Sequence, residues 1–216
     1  MARPDITVMG AGIFGLSVAW ACVKKGARVQ VIDPAGRGTG ATGGGVGGRA
    51  PPRPQNWNDK KAFQLDSLLM AGDFWAEVEA TSGISPGHAR LGRLQPIPDE
   101  RTIALARQRA ETARDLWQGR ATWEVIAPPD ESWAPATPTG WLIRDTLSAR
   151  LHPRRACQAL AGALRARGAV LTREGTPEGR VIHATGVAGL RELSQALGKT
   201  VGSAVKGQAA LLHFAA

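Results

Sequence analysis

Gly10, Gly12 and Gly15 stand at the spacing GxGxxG, directly after the apolar run Ile6-Thr7-Val8-Met9. Asp33 closes a second apolar run 18 residues past Gly15. Residues of these types at these intervals suit a dinucleotide. Gly10 allows the tight turn off a strand, Gly12 lets backbone approach a pyrophosphate, and Gly15 lets helix and strand pack closely. The helix that follows points its unpaired N–H groups and the positive end of its dipole at the phosphates. Asp33 then falls where a carboxylate meets a ribose hydroxyl. The chain has 27 glycines, so the bare spacing carries little weight. The order strand, turn, helix, strand, acid carries the reading.

Two further segments point the same way. The glycine-dense stretch 36–48 follows the acid directly, which predicts a second close approach of backbone to the ligand rather than a plain flexible linker. Val181-Ile182-His183 reads as a short strand running into Ala184-Thr185-Gly186, where Gly186 again allows backbone near a ligand at the end of a parallel strand.

The elements that must position these residues follow from periodicity and punctuation. The first helix is expected from about Phe14 to Lys25 with Gly26 as its stop, and the second strand over Arg28 to Ile32. Pro51, Pro52 and Pro54 then enforce extended chain. Residues 59–80 read as one amphipathic helix, with Phe63, Leu65, Leu68, Leu69, Phe74, Trp75 and Val78 on its core face. Short strands and turns over 83–98, a charged helix over 99–119, a proline-rich irregular stretch and a strand at Trp141-Leu142-Ile143 follow. A helix from Pro153 to Arg167 stops at Gly168, and a last helix runs from about Gly189 to Leu197. Two stretches of nucleotide-binding character therefore flank an insertion of different texture.

Composition removes several classes. No run of about 18 apolar residues exists, so no transmembrane segment is expected. The N-terminal apolar stretch is broken by glycines and reads as part of the βαβ unit, not as a signal peptide. Cys22 and Cys157 both fall in expected helices and suit reduced packing positions in a cytoplasmic protein, and no zinc-type spacing occurs, so no metal is expected. The net charge is +9, yet Arg90, Arg93, Arg101, Arg107, Arg109, Arg114 and Arg120 alternate with acids and alanines as on solvated helix faces. No specific nucleic-acid partner is expected. No feature assigns an oligomeric state.

Taken together, Gly10-Ala11-Gly12-Ile13-Phe14-Gly15 with Asp33, the segment Ala41-Thr42-Gly43-Gly44-Gly45-Val46-Gly47, Leu151-His152-Pro153, Ile182-His183-Ala184-Thr185-Gly186 and Val205-Lys206-Gly207-Gln208 resemble landmarks of a known family. It is that of the FAD-dependent D-amino-acid oxidases and glycine oxidases. The resemblance implies an α/β fold: a Rossmann-like FAD-binding domain over 1–80 and 145–199, with an inserted α+β substrate domain, incomplete at the C-terminus, over 81–144 and 200–216. It implies FAD as cofactor, held by Gly10, Gly12, Ile13, Phe14, Gly15, Asp33, Ala41, Thr42, Val46, Gly47, Ala184, Thr185 and Gly186. It implies a small amine or amino acid as substrate, oxidised by hydride transfer to the flavin with later hydrolysis of the imine.

Two departures stand out. Residues 169–183 are short where relatives carry a longer β-excursion, and the chain matches only about the first 60% of a typical member, so a truncated protein is expected, its substrate-carboxylate groups lying beyond Ala216. No catalytic residue is assigned, His88, His152, His183 and His213 included. The alternatives are an NAD-dependent dehydrogenase using the same fingerprint and a non-enzymatic fragment that at most binds the cofactor.

Overall fold

The computed structural model describes residues 3–44, 47–205 and 207. Along the chain run β1 (Ile6–Met9), α1 (Ile13–Lys24), β2 (Val29–Ile32), β3 (Gly48–Arg49), α2 (Asp59–Leu69), α3 (Ala71–Ser82), β4 (Arg93–Pro96) and α4 (Glu100–Trp117). They are followed by β5 (Trp123–Ile126), β6 (Leu142–Asp145), β7 (Ala149–Arg150), α5 (Pro153–Ala166), β8 (Val170–Thr172), β9 (Arg180–His183) and α6 (Gly186–Ala196). By contacts the chain forms two units. The first comprises Met1–Gly47, Trp75–Gly87 and His152–Ala216, the second Gly48–Phe74 and His88–Leu151.

The first unit is built on a four-stranded sheet of order β8-β2-β1-β9 with every pair parallel. Numbered within the unit this is the order 3-2-1-4 of a doubly wound nucleotide-binding sheet. Val8, Val31 and Ile32 are buried in it, as parallel strands covered by helices require. The α1 residues Leu16, Ala19 and Trp20 are fully buried, and α1 packs on α5. α5 begins with Pro153 at its first turn, where a missing N–H costs nothing, and with His152 Nδ1 accepting from the Arg155 amide. Small residues fill its inner face: Ala156, Ala159, Ala161 and Ala163 are all fully buried. A Cβ at Gly162 would stand 3.1 Å from that of Ser82, so this helix also meets the end of α3 closely.

The second unit holds a three-stranded antiparallel sheet, β4-β6-β5, and the two-stranded pair β3-β7. α4 covers the larger sheet. Asp99 caps it by accepting from the Thr102 amide at 2.7 Å. Ile103, Ala106, Ala113 and Trp117 form its buried face, and they join Leu65, Leu68, Trp123 and Ile143 in one core cluster. Trp117 meets Trp123 edge to face with ring centroids 6.2 Å apart.

Four expectations change. The helix expected over 59–80 is two helices, α2 and α3, parted at Met70. Leu65 and Leu68 serve the core of the second unit, whereas Trp75 and Val78 are buried in the first, so one straight apolar stripe does not describe the segment. Phe63, expected on that stripe, is 75% exposed. β5 is a strand that its own sequence does not announce. α6 begins at Gly186, about three residues earlier than expected. The contacts also group 48–74 with 88–151, whereas the sequence reading groups 48–74 with the nucleotide-binding segments, because α2 shares its core with α4 and β5.

Candidate functional site

The strand order of the first sheet reverses between β1 and β9, and a ligand crevice belongs beyond the carboxyl ends of strands at such a point. Both glycine landmarks stand there. Gly10 follows β1 with φ +107, and its amide donates to Ile32 O at 2.8 Å. A Cβ at Gly10 would lie 2.4 Å from the carbonyl oxygen of Ala184, at the end of β9. A Cβ at Gly15 would lie 1.9 Å from Gly10 O, so helix and turn touch backbone to backbone. Gly12 is different. Its φ of −77 is ordinary, and among the described residues the one neighbour of its Cβ position is Thr42 Oγ1 at 3.5 Å. The three glycines thus divide into two that close the turn and one that leaves space above it.

That space faces hydrogen-bond donors. The Ile13 amide donates to Thr42 Oγ1 at 3.3 Å, while the amides of Gly12, Phe14 and Gly15 have no acceptor among the described residues. They are the unsatisfied first-turn donors of α1, at the positive end of its dipole. Asp33 Oδ2 accepts from the Ala11 amide at 2.7 Å and Oδ1 from the Ala35 amide at 3.0 Å. The carboxylate is therefore fixed in orientation and half-buried, and each oxygen keeps capacity for a further donor.

The glycine segment after Asp33 folds back on this turn. The Gly38 amide donates to Ala11 O at 3.2 Å, and Ala41–Gly43 make one turn of 3-10 helix that brings Thr42 to Ile13. Arg154, at the start of α5, donates through Nε to Gly43 O at 2.9 Å. Between these parts lies a cleft of about 690 Å³ lined by Ala11, Asp33, Thr39, Arg154, Cys157 and Thr172, among others. Arg37, Arg165 and Arg173 also line it, so four guanidinium groups face one carboxylate. An anionic ligand is favoured there.

The structure brings together Gly10, Gly12, Ile13, Gly15, Asp33, Thr42 and Ala184. Phe14 is 80% exposed on the outer side of the first turn. Thr185 precedes α6 and Gly186 is its first residue, with φ +60 and open space around its Cβ position. Val46, Lys206, Gln208 and His213 lie outside the described residues. Sequence reasoning missed Arg37, Arg154 and Arg173, whose relation to the cleft arises only when α5 and β8 fold against the glycine segment.

Cys157 lines the same cleft, yet it is 2% exposed, and burial pushes its thiol up to about 11, against the opposing pull of the Arg37 charge. At pH 8 roughly one thiol in a thousand is ionised, and the thiolate is the reactive form. Iodoacetamide at pH 8 is therefore expected to leave Cys157 unmodified in the folded chain and to label it after denaturation, as read by peptide mass spectrometry. Rapid labelling of the folded chain would contradict this placement.

An orphan set of helix-start amides, a space that a side chain at Gly12 would fill, a fixed carboxylate and an arginine-lined cleft fit a dinucleotide with a charged diphosphate. Comparison with known proteins agrees. Residues 5–211 match the model of the FAD dependent oxidoreductase family. A Rhizobium etli protein named as a thiamine biosynthesis oxidoreductase, ThiO, is 31% identical over 164 residues, which is 74% of this chain and 45% of that protein. Glycine oxidase of Geobacillus kaustophilus superposes with a TM-score of 0.69 at 16% identity, over 92% of this chain and 59% of its own. The L-amino acid deaminase of Proteus vulgaris also gives 0.69, at 19% identity, over 92% of this chain and 51% of its own. The chain thus spans about half the length of the relatives it matches. Its fold is theirs, and the chain belongs to the family of FAD-dependent oxidoreductases.

Proposed function

We propose that this chain binds FAD across the switch point of its parallel sheet and serves the oxidation of a small amine or amino acid. The observation that carries the reading is the meeting of unpaired α1 amides, open Gly12 and oriented Asp33 at the ends of β1 and β2. When bound, FAD supplies the acceptor for the hydride leaving the carbon that bears the amine. The residues bind and orient. The Gly12, Phe14 and Gly15 amides donate to the diphosphate, and Asp33 accepts from a ribose hydroxyl. Thr42 holds the Ile13 amide and fixes the glycine segment, whose Ala41, Val46 and Gly47 are assigned by their place in the sequence to the same cofactor face. Gly10 and Ala184 close the floor of the crevice, and Ala184-Thr185-Gly186 bound its far side. Arg37, Arg154 and Arg173 supply the field that draws a dianionic cofactor into the cleft.

The first unit is the cofactor-binding part in this proposal, and the second unit is part of the substrate domain. No helix among the described residues is long and apolar enough to cross a membrane. Cys22 and Cys157 are both free, which supports a reducing, cytoplasmic compartment.

The test is the visible absorption spectrum of the purified chain before and after adding FAD, with NAD titrated in parallel. A protein-bound flavin spectrum and no response to NAD are the expected results. Tight NAD binding by a folded chain that takes up no flavin would reverse the assignment in favour of a nicotinamide-dependent dehydrogenase.

A further inference from the structure

The start of α5 breaks a charge rule that α2, α3 and α4 obey. A helix is positive at its first turn, and acids belong there. Those three helices each carry one, Asp59, Asp73 and Glu100. α5 opens instead on Pro153, Arg154 and Arg155, with no acid in its first turn. Cations set against a helix dipole are unfavourable for the helix itself, and such local conflicts mark functional positions. α5 leads into β8, which runs parallel to β2 and β1, so its first turn stands at the same carboxyl edge of the sheet as that of α1.

Arg154 is anchored by a single nitrogen. Its Nε donates to Gly43 O at 2.9 Å, and Gly43 is firmly placed. The Gly43 amide donates to Gly40 O at 2.9 Å, and a Cβ at Gly43 would stand 2.5 Å from Gly38 O. The Gly38 amide in turn donates to Ala11 O, and Thr42, next to Gly43, accepts from the Ile13 amide. The guanidinium is thus docked on backbone that is itself tied to the turn between β1 and α1. Its two terminal nitrogens have no partner among the described residues, although the side chain lines the cleft beside Asp33. The other three arginines of that cleft are placed differently. Arg173 lies over Gly36, with guanidinium atoms 3.3–3.7 Å from the Cβ position there. Arg37 is near enough to Cys157 to act on its thiol, and Arg165 stands about three turns further along α5. Of the four, Arg154 is the one anchored beside the residue that meets α1.

We propose that Arg154 is a direct ligand of the cofactor diphosphate, its terminal nitrogens closing on the phosphates from the α5 side while the α1 amides donate from the other. The assignment rests on the FAD reading, and it gives one arginine a contact where that reading needs only a field. A field needs charge near the cleft, which any of the four arginines supplies. A contact needs the paired donors of one guanidinium held in place, and the Nε bond to Gly43 holds them.

The test titrates the full chain with FAD, ADP and AMP at constant ionic strength, by flavin fluorescence for the first and by calorimetry for the others. The Arg154 side chain is exposed, so Arg154→Gln is expected to melt like the parent. It is expected to bind FAD and ADP at least about 10-fold more weakly, and AMP, which lacks the second phosphate, within about 3-fold of the parent. Arg154→Lys keeps the charge and loses the paired donors, so it should fall between. Arg165→Gln removes one charge from the same cleft without that anchor, and should weaken ADP no more than about 3-fold. At saturation, the β-phosphorus NMR signal of bound ADP is expected to shift between the parent and Arg154→Gln. An unmoved signal, full recovery in Arg154→Lys, equal losses in the two Gln variants, or equal losses of ADP and AMP would each overturn the proposal, since a field or a brace for the glycine segment would then suffice. Parental FAD affinity in Arg154→Gln would overturn the contact and leave the cofactor reading standing. A parent chain that takes up no flavin would overturn both.

Discussion

A Gly12→Val chain is expected to fold and to lose FAD by at least about 100-fold. Gly12 has φ −77 and ψ −178, extended geometry that valine adopts, and the one atom of the described residues near its Cβ position is Thr42 Oγ1 at 3.5 Å. The substitution therefore meets no backbone, and its cost to the fold is the loss of a good helix-capping residue, about 1 kcal/mol. The cost to the ligand is far larger. The methyl groups fill the space over the Gly12 and Phe14 amides, where the diphosphate must come to accept their hydrogen bonds. Each hydrogen bond to a charged group is worth about 1.5–3 kcal/mol, so losing two removes about 3–6 kcal/mol, which is more than 100-fold in affinity. Flavin fluorescence titration reads the affinity, and circular dichroism melting reads the fold. Parental FAD affinity in a folded Gly12→Val chain would sink the assignment of this turn to the cofactor.

Gly15→Ala, three residues away in the same motif, is expected to do the opposite: its first effect is on stability. An added Cβ lies 1.9 Å from Gly10 O and 3.4 Å from Ala184 Cβ, and Gly10 itself, with φ +107, is tied by its amide to Ile32 O at 2.8 Å. Neither neighbour is the end of a flexible side chain. The turn or the first helical turn of α1 must move, and overpacking of that kind costs about 3 kcal/mol. For a chain of this size that is a fall in melting temperature of about 6–12 °C. Any loss of FAD should follow from the displaced α1 amides and should be smaller than in Gly12→Val. A melting temperature equal to the parent's would show that the turn and α1 are not packed backbone to backbone.

This opposition between two glycines of one motif shows how far the sequence reaches. The spacing of Gly10, Gly12, Gly15 and Asp33 is local chemistry: each requirement concerns the residue's own backbone or its near neighbours, so the order of residue types announces it. The parallel sheet follows from the same logic, because short β-branched runs separated by helices leave few other arrangements. The segment 59–80 shows where this reasoning stops. Its apolar residues recur at helical intervals, yet Leu65 and Leu68 pack with α4 and β5 while Trp75 and Val78 are buried in the first unit. Periodicity tells that a face will be buried; it does not tell against what, and it gave no warning that Phe63 faces outward. β5 was illegible for a related reason, since four residues of mixed character become a strand only by pairing with β6.

By itself, then, the sequence determined the βαβ start, the glycine turn, the acid at the end of β2, the second glycine segment and the family these imply. Each rests on short-range sterics and hydrogen bonding, which act through residue type and order. Only the tertiary structure decided which glycine is open and which are packed, and that Asp33 is oriented by the Ala11 and Ala35 amides. It also decided that Arg37, Arg154 and Arg173 share one cleft. A long, charged side chain is tolerated at almost any exposed position, so its type says little about its role. Its neighbours, brought from distant parts of the chain by strand pairing and helix packing, decide which charges are paired and which are left to meet a ligand.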